Sequence, residues 1–187
     1  MVKVRPFVLL DRDGTLIVER HYLARAEDVE LLPLTAPGLR LMQAAGLGLA
    51  VLTNQSGLGR GYFDWAALHA VHARMTQLLA QEGVSLDGIY VCPHTPEADC
   101  NCRKPRPGLV QWAAAELHFD PSKSFVVGDK PCDIELGRRV GAIAILVRTG
   151  YGAFWEHEGL QADYIVDDMT AAAHIIRRKC ECKDSQI

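Results

Sequence analysis

Apolar residues in this chain fall into two kinds of pattern. Short apolar runs at Phe7–Leu10, Leu49–Leu52 and Ala144–Val147 end abruptly in polar residues, the form expected of strands buried on both faces of a parallel sheet. Ile89–Cys92, Ser124–Val127 and the weaker Tyr164–Val166 extend the set. Between these runs apolar positions recur at helical spacing. Pro37 opens a helix through Leu39, Leu41, Met42 and Ala45, and Gly46 stops it. A longer helix, from about Asp64 to Gln81, sets Leu68, Val71, Met75, Leu78 and Leu79 on one face. Further helices are predicted over Pro107–Leu117, Cys132–Val140 and Met169–Arg178. Strands alternating with helices predict an α/β fold, a three-layer Rossmann-like open parallel sheet with helices on both faces. No repeat, low-complexity segment or linker interrupts the pattern, so residues 1–187 are expected to form one domain with a polar tail over 179–187.

Composition changes this picture little. Hydrophobic residues make up 49% of the chain and charged residues 23%, ordinary for a globular protein. The net charge of -3 offers no basic stripe, so no nucleic-acid partner is expected. No segment approaches the roughly 20 apolar residues that span a bilayer. The run Phe7–Leu10 is too short for a signal-peptide core and meets Asp11-Arg12-Asp13 at once. A cytoplasmic protein without a membrane partner is the expectation, and nothing demands more than a monomer. Disulfides are then not expected of the six cysteines at 92, 100, 102, 132, 180 and 182.

Unusual chemistry collects where strands end. Asp11-Arg12-Asp13-Gly14-Thr15, Thr53-Asn54-Gln55-Ser56 and Gly128-Asp129-Lys130 each follow a predicted strand, and Arg103-Lys104-Pro105 precedes a helix. Ligands of such sheets sit beyond the carboxyl ends of the strands. Taken singly, each loop could be ordinary hydrophilic surface. Together, Asp11, Asp13 and Asp129 would offer a hard cation such as magnesium a set of oxygen ligands. A metal-bound carboxylate can act as a nucleophile, and a second carboxyl two residues away can move the protons. Lys104, the Thr53 hydroxyl and backbone N–H groups would steady charge on a transferring phosphoryl group.

The Asp11–Thr15 run resembles the first motif of the haloacid dehalogenase superfamily, D-x-D-G-T. Thr53, Lys104 and Gly128-Asp129-x-x-x-Asp133 stand where that superfamily has its second, third and fourth motifs. The resemblance spans most of the chain in the same order. It implies a phosphatase in which Asp11 is the nucleophile and Asp13 the general acid/base. Thr53 and Lys104 complete the catalytic set. Magnesium would be held by the Asp11 carboxylate, the Asp13 backbone carbonyl and Asp129.

Cys92-Pro93-His94 and Cys100-Asn101-Cys102 put four soft or borderline ligands into two close pairs, a Cys3His set typical of a closed structural zinc. Arg103 and Lys104 follow the last ligand directly, so fixing Cys102 would fix the backbone that carries the lysine. Cys180-Glu181-Cys182 has no second pair nearby and reads as two exposed thiols, while Cys132 reads as a helix cap or packing residue. His69, His72, His118, His157 and His174 have no partners in the sequence and receive no role.

Superfamily members often carry an inserted cap domain, and here the spacing leaves room only for a short flap after Thr15. A capless body with a Cys-x-His and Cys-x-Cys loop, then Cys102-Arg103-Lys104-Pro105, resembles one subfamily. Thr53–Gly61 and Gly128-Asp129-Lys130 match it too. That subfamily holds heptose-bisphosphate 7-phosphatases and histidinol-phosphate phosphatases. The resemblance implies a small phosphorylated sugar as substrate, with histidinol phosphate the alternative. A polynucleotide phosphate end, or a non-catalytic zinc-stabilised module, fits less well. Substrate selection would fall to Glu19, Arg20, His21 and Tyr22 of the flap, to Asn54, Gln55 and Ser56, and to Arg103 and Lys130. Arg103 is the expected reader of a second phosphate, because its planar fork grips phosphate oxygens in pairs.

Overall fold

A computed structural model describes residues 5–184, with side chains through Glu181. Strands β1 (Phe7–Leu10), β2 (Gly48–Asn54), β3 (Gly88–Cys92), β4 (Phe125–Gly128), β5 (Ile143–Val147) and β6 (Tyr164–Val166) form one sheet in the order β3-β2-β1-β4-β5-β6. Every adjacent pair is parallel, and Leu10 pairs with Val51 on one side and Val127 on the other. The apolar runs become strands because both faces are covered. Successive side chains point to opposite faces. Val8 and Leu10 therefore join a core with Leu39, Met42, Val71, Met75 and Ala172, while Phe7 and Leu9 join another with Leu52, Leu109, Val110 and Leu136.

Helices α1 (Thr35–Ala44), α3 (Trp65–Gln81) and α7 (Met169–Asp184) supply the first face. Helices α4 (Gly108–Leu117) and α5 (Pro131–Val140) supply the second. Helix α2, the single turn Ser56–Gly59, follows β2, and α6 (Gly152–His157) follows β5. Asp64 caps α3 by accepting from the Ala67 N–H at 2.8 Å, which satisfies one of the four free donors of a helix start.

Several elements differ from the sequence pattern. Helix α1 starts at Thr35, two residues before Pro37, since a proline in the first turn loses no helical hydrogen bond. Strand β2 runs through Thr53 and Asn54, which pair with Val91 and Cys92 although their side chains are polar. The glycine-rich turn at 57–61 begins as helix α2, and α6 has no apolar periodicity to announce it. Helix α7 continues past Arg178 to Asp184, so much of the expected tail is helical. Cys180, expected exposed, lies partly buried against the first core; the Cys182 side chain lies outside the described residues. No helix among the described residues is long and apolar enough to cross a membrane.

The segment between Gly14 and Leu34 forms a flap and no cap domain. Ile17 bridges to both Asp13 and Leu31, and Leu16, Ile17, Leu23 and Val29 bury its underside. Arg20, His21 and Tyr22 stand exposed at the tip.

Candidate active site

Parallel strands in register deliver their ends to one rim. Asp11 follows β1, Thr53 and Asn54 end β2, and Asp129 follows β4. Lys104 reaches the same point from the loop before α4. Its ammonium donates to Asp11 Oδ1 at 2.7 Å and to the Leu52 carbonyl at 2.6 Å, and pairs with Asp133 Oδ1 at 2.7 Å. Asp133 sits in the first turn of α5, where its other oxygen accepts from the Lys130 N–H at 3.2 Å. The backbone of Lys104 is clamped by the Asn54 amide, which accepts from its N–H at 3.0 Å and donates to its carbonyl at 3.1 Å.

Asp129 accepts from the Tyr151 N–H at 2.9 Å and is approached by the Thr15 hydroxyl at 3.4 Å. Two glycines with positive φ leave room for it. A Cβ on Gly14 or Gly150 would stand 2.3 or 2.2 Å from Asp129 Oδ2. Asp11, Asp129 and Asp133 are all buried, with oxygens within 4.8 Å of one another.

Burial would raise the Asp11 carboxyl, but Lys104 and then Lys130 outweigh it and hold the group below the ordinary carboxylate range. Asp129 has only the more distant Lys130 ammonium, at 3.9 Å, against it. Burial first and Asp11 second push it up to about 8. Burial also lifts Asp133 to about 6, against the pull of Lys104. Burial would lower Lys104, and the charges of Asp11 and Asp133 reverse this and keep it firmly protonated. The result is an ionised nucleophile candidate beside a carboxyl that burial keeps largely protonated until a cation displaces the proton.

The Asp13 carboxylate has partners of its own outside this trio. Arg12, wholly buried, donates Nε to Asp13 Oδ2 at 3.0 Å and Nη2 to Oδ1 at 2.9 Å. Its Nη1 meets His72 Nε2, from α3, at 3.0 Å. Gln55 Nε2 donates to Asp13 Oδ2 at 2.8 Å and to Thr53 Oγ1 at 2.7 Å. The Asp13 carbonyl accepts from Lys130 Nζ at 3.3 Å.

A cleft of about 210 Å³ opens above, lined by Asp13, Glu19, His21, Tyr22, Lys130 and Tyr151 and by residues 54–57. Lys130 donates to Glu19 Oε2 at 2.8 Å and lies 5.4 Å from the centre of the Tyr151 ring. Tyr22 packs edge-on against Tyr62. Of the residues expected to select substrate, Glu19, His21, Tyr22, Asn54, Gln55, Ser56 and Lys130 line this cleft and two do not. Arg20 pairs with Glu30 at 2.7 Å, and Arg103 donates to the His94 carbonyl at 3.2 Å.

The donor sets fit two metals. Near Asp11, the carboxyls of Asp11, Asp129, Asp133 and Glu19, once all ionised, would exceed the two ammonium groups of Lys104 and Lys130 by two charges, a surplus that a hard dication would balance. In the second set Cys92 Sγ lies 3.2 Å from Cys102 Sγ and 3.8 Å from Cys100 Sγ, and Cys100 lies 3.7 Å from Cys102. His94 Nδ1 stands 3.2 and 3.6 Å from Cys102 and Cys92. A tetrahedron with Zn–S bonds of about 2.3 Å has edges of about 3.8 Å, so the four donors surround a zinc-sized space. All four positions come from protein.

Comparison with known proteins agrees with this geometry. The HAD-hydrolase-like family profile matches residues 101–172. A D-glycero-beta-D-manno-heptose-1,7-bisphosphate 7-phosphatase of Haemophilus influenzae is 38% identical over 91% of this chain and 96% of its own. The enzyme of the same name from Escherichia coli is 36% identical over 96% and 97%. The D,D-heptose 1,7-bisphosphate phosphatase of B. bronchiseptica, solved with magnesium and phosphate, superposes with a TM-score of 0.86 at 33% identity, over 93% of this chain and 99% of that one. The chain belongs to the heptose-bisphosphate phosphatase family of the haloacid dehalogenase superfamily. As a member of that family it is a phosphoric monoester hydrolase.

Four residues of this phosphatase site carry more than the sequence pattern suggested. Asp133 closes the carboxylate group and holds Lys104; its place in the fourth motif was the available signal, but a carboxylate at that helix position also reads as a cap. Arg12 fills the variable position of the first motif. Tyr151 lies after β5 with no motif around it. His72 is a single histidine on a helix face, and only the fold brings it to Arg12.

Proposed function

We propose that the protein removes the 7-phosphate of D-glycero-D-manno-heptose 1,7-bisphosphate through a phosphoryl group carried on Asp11, on the route to nucleotide-activated heptose for the lipopolysaccharide core. The observation that carries this reading is the ionised Asp11 carboxylate, gripped by Lys104 at 2.7 Å, two residues before Asp13, which lines a cleft of hydrogen-bonding groups. The names and extents of its relatives support the substrate.

Asp11 attacks phosphorus, and the bond from phosphorus to the sugar oxygen breaks. Asp13 gives that oxygen its proton, so the sugar leaves as an alcohol. The Asp13 carboxylate then takes a proton from water, whose oxygen attacks the phosphoryl group and frees phosphate from Asp11. Gln55 donates to Thr53 Oγ1, which leaves the threonine hydrogen free for a phosphoryl oxygen. Lys104 is held by Asn54 and Asp133 where charge develops. Magnesium would be held by the carboxylates of Asp11 and Asp129 and by the Asp13 carbonyl, and it would supply charge neutralisation for the phosphoryl transfer. Lys130, now on that carbonyl and on Glu19, is free to turn toward a phosphate. Glu19 is placed to accept from sugar hydroxyls.

A zinc held by Cys92, His94, Cys100 and Cys102 would be structural, because four protein ligands would leave no position for water. Thiolate ligands require reduced cysteines, which supports work in the cytoplasm. We propose one domain, acting as a monomer on a small metabolite without nucleic acid or membrane. The test is kcat/KM with magnesium for heptose 1,7-bisphosphate and histidinol phosphate side by side. A preference for the heptose above about a hundredfold, near 2.7 kcal/mol, is expected. The reverse preference would overturn the substrate.

A further inference from the structure

The buried guanidinium of Arg12 divides its donors in an unequal way. Nε and Nη2 form a fork on both oxygens of Asp13, while Nη1 meets His72 Nε2 at 3.0 Å. Asp13 is the only carboxylate on this guanidinium among the described residues. His72 is 8% exposed and comes from the middle of α3, on the same buried face as Val71 and Met75. Because Nη1 must donate, His72 Nε2 must accept, which fixes the ring as the neutral tautomer with its proton on Nδ1. Burial, then the charge of Arg12, then His69 hold its pKa down to about 3. A buried guanidinium with one free corner could pivot in the plane of its fork. The histidine holds that corner.

We infer that His72 is a positioning residue, acting through Arg12 to hold the Asp13 carboxylate in the place from which it moves protons. The inference rests on the assignment of Asp13 as general acid/base. Asp13 has two different tasks, at the leaving oxygen and at the incoming water, and must return to one place between them. The Arg12 fork defines that place, and Gln55 marks its other side at 2.8 Å. His72 touches neither the cleft nor the carboxylate trio, so its influence falls on proton transfer and not on substrate binding. A misplacement of about 1 Å in a reacting group can cost on the order of a hundredfold.

The experiment compares His72→Leu with His72→Gln, whose amide oxygen can accept from Arg12 Nη1. Both are assayed with saturating magnesium at a temperature where circular dichroism shows them folded; should the leucine variant not fold, His72→Met replaces it. The expected result is a loss in kcat of about ten- to a hundredfold for leucine, with KM changed less than about twofold, and recovery to within about threefold by glutamine. In an Arg12→Lys background, which has no fork, His72→Leu should add no further loss. Wild-type kcat in the leucine variant, an equal fall for leucine and glutamine, or full additivity in the Arg12→Lys background would each overturn the inference. Asp13→Asn separates the two levels. If it turns over normally, the acid/base assignment itself is lost; if it is inactive while His72→Leu is normal, only the role of His72 is lost.

Discussion

Replacing Lys104 with methionine keeps the side chain's length and removes its charge. In the native site that ammonium lies 2.7 Å from Asp11 and 2.7 Å from Asp133, and each of these carboxylates is less than a tenth exposed. Removing one partner of a buried pair costs about 3–5 kcal/mol, because the remaining charge is left without compensation. In a protein of this size that lowers the unfolding temperature by about 6–20 °C. The loss must also depend on pH. Lys104 holds Asp11 below its ordinary value, so in the native protein this carboxylate contributes stability above the unfolded pKa of about 3.9. In the variant, burial acts with less opposition and the folded pKa values of Asp11 and Asp133 rise. A carboxyl with a raised folded pKa keeps its full stability below the unfolded value and loses it as pH rises through the folded one. The difference between native and variant proteins should therefore be small near pH 5 and large near pH 8. Thermal unfolding followed by circular dichroism at both pH values, without added magnesium, checks this. Turnover should fall by at least about a hundredfold as well. An equal loss of stability at the two pH values would refute the electrostatic account of Lys104.

Three further outcomes follow from other parts of the molecule. Asp129, with a folded pKa near 8, costs stability as pH rises from about 4 through that value; millimolar magnesium should therefore raise the unfolding temperature more at pH 8.5 than at pH 6, and a shift independent of pH in a thermal scan would count against metal binding there. Cys102→Ser should release about one zinc ion per chain by elemental analysis and lower the unfolding temperature, whereas retained zinc would mean that the remaining three ligands suffice. Leu9→Ala removes a fully buried side chain from the second core and should cost about 2–5 kcal/mol in denaturant titration, with kcat per folded molecule unchanged; a parallel loss of kcat would show that the strand's packing reaches the site.

The sheet was legible because its central strands are buried on both faces. Runs such as Phe7–Leu10 admit no polar residue except at the rim, so their ends point to the chemistry. Thr53 and Asn54 show where this breaks down. They are strand residues with polar side chains, since hydrogen bonding to Val91 and Cys92 continues past the last apolar position. Helix α6 was illegible for a different reason: six residues are too few to establish a period. At the site, motif order brought out Asp11, Asp13, Lys104 and Asp129, whose types the proposed reaction requires. Residues whose roles depend on three-dimensional partners were harder to find. Asn54 spends its amide on the Lys104 backbone, Arg103 turns to the His94 carbonyl, and His72 meets Arg12 across 60 positions of sequence. No local spacing encodes such contacts.

The central claim is that phosphate passes through Asp11. Rapid quenching during turnover of heptose 1,7-bisphosphate with magnesium, followed by proteolysis and mass spectrometry, tests it most directly. The account predicts a phosphoryl group on the peptide that carries Asp11, absent from the Asp11→Asn protein, which is folded but inactive. Turnover by that variant, or a phosphoryl group on any other residue, would contradict it.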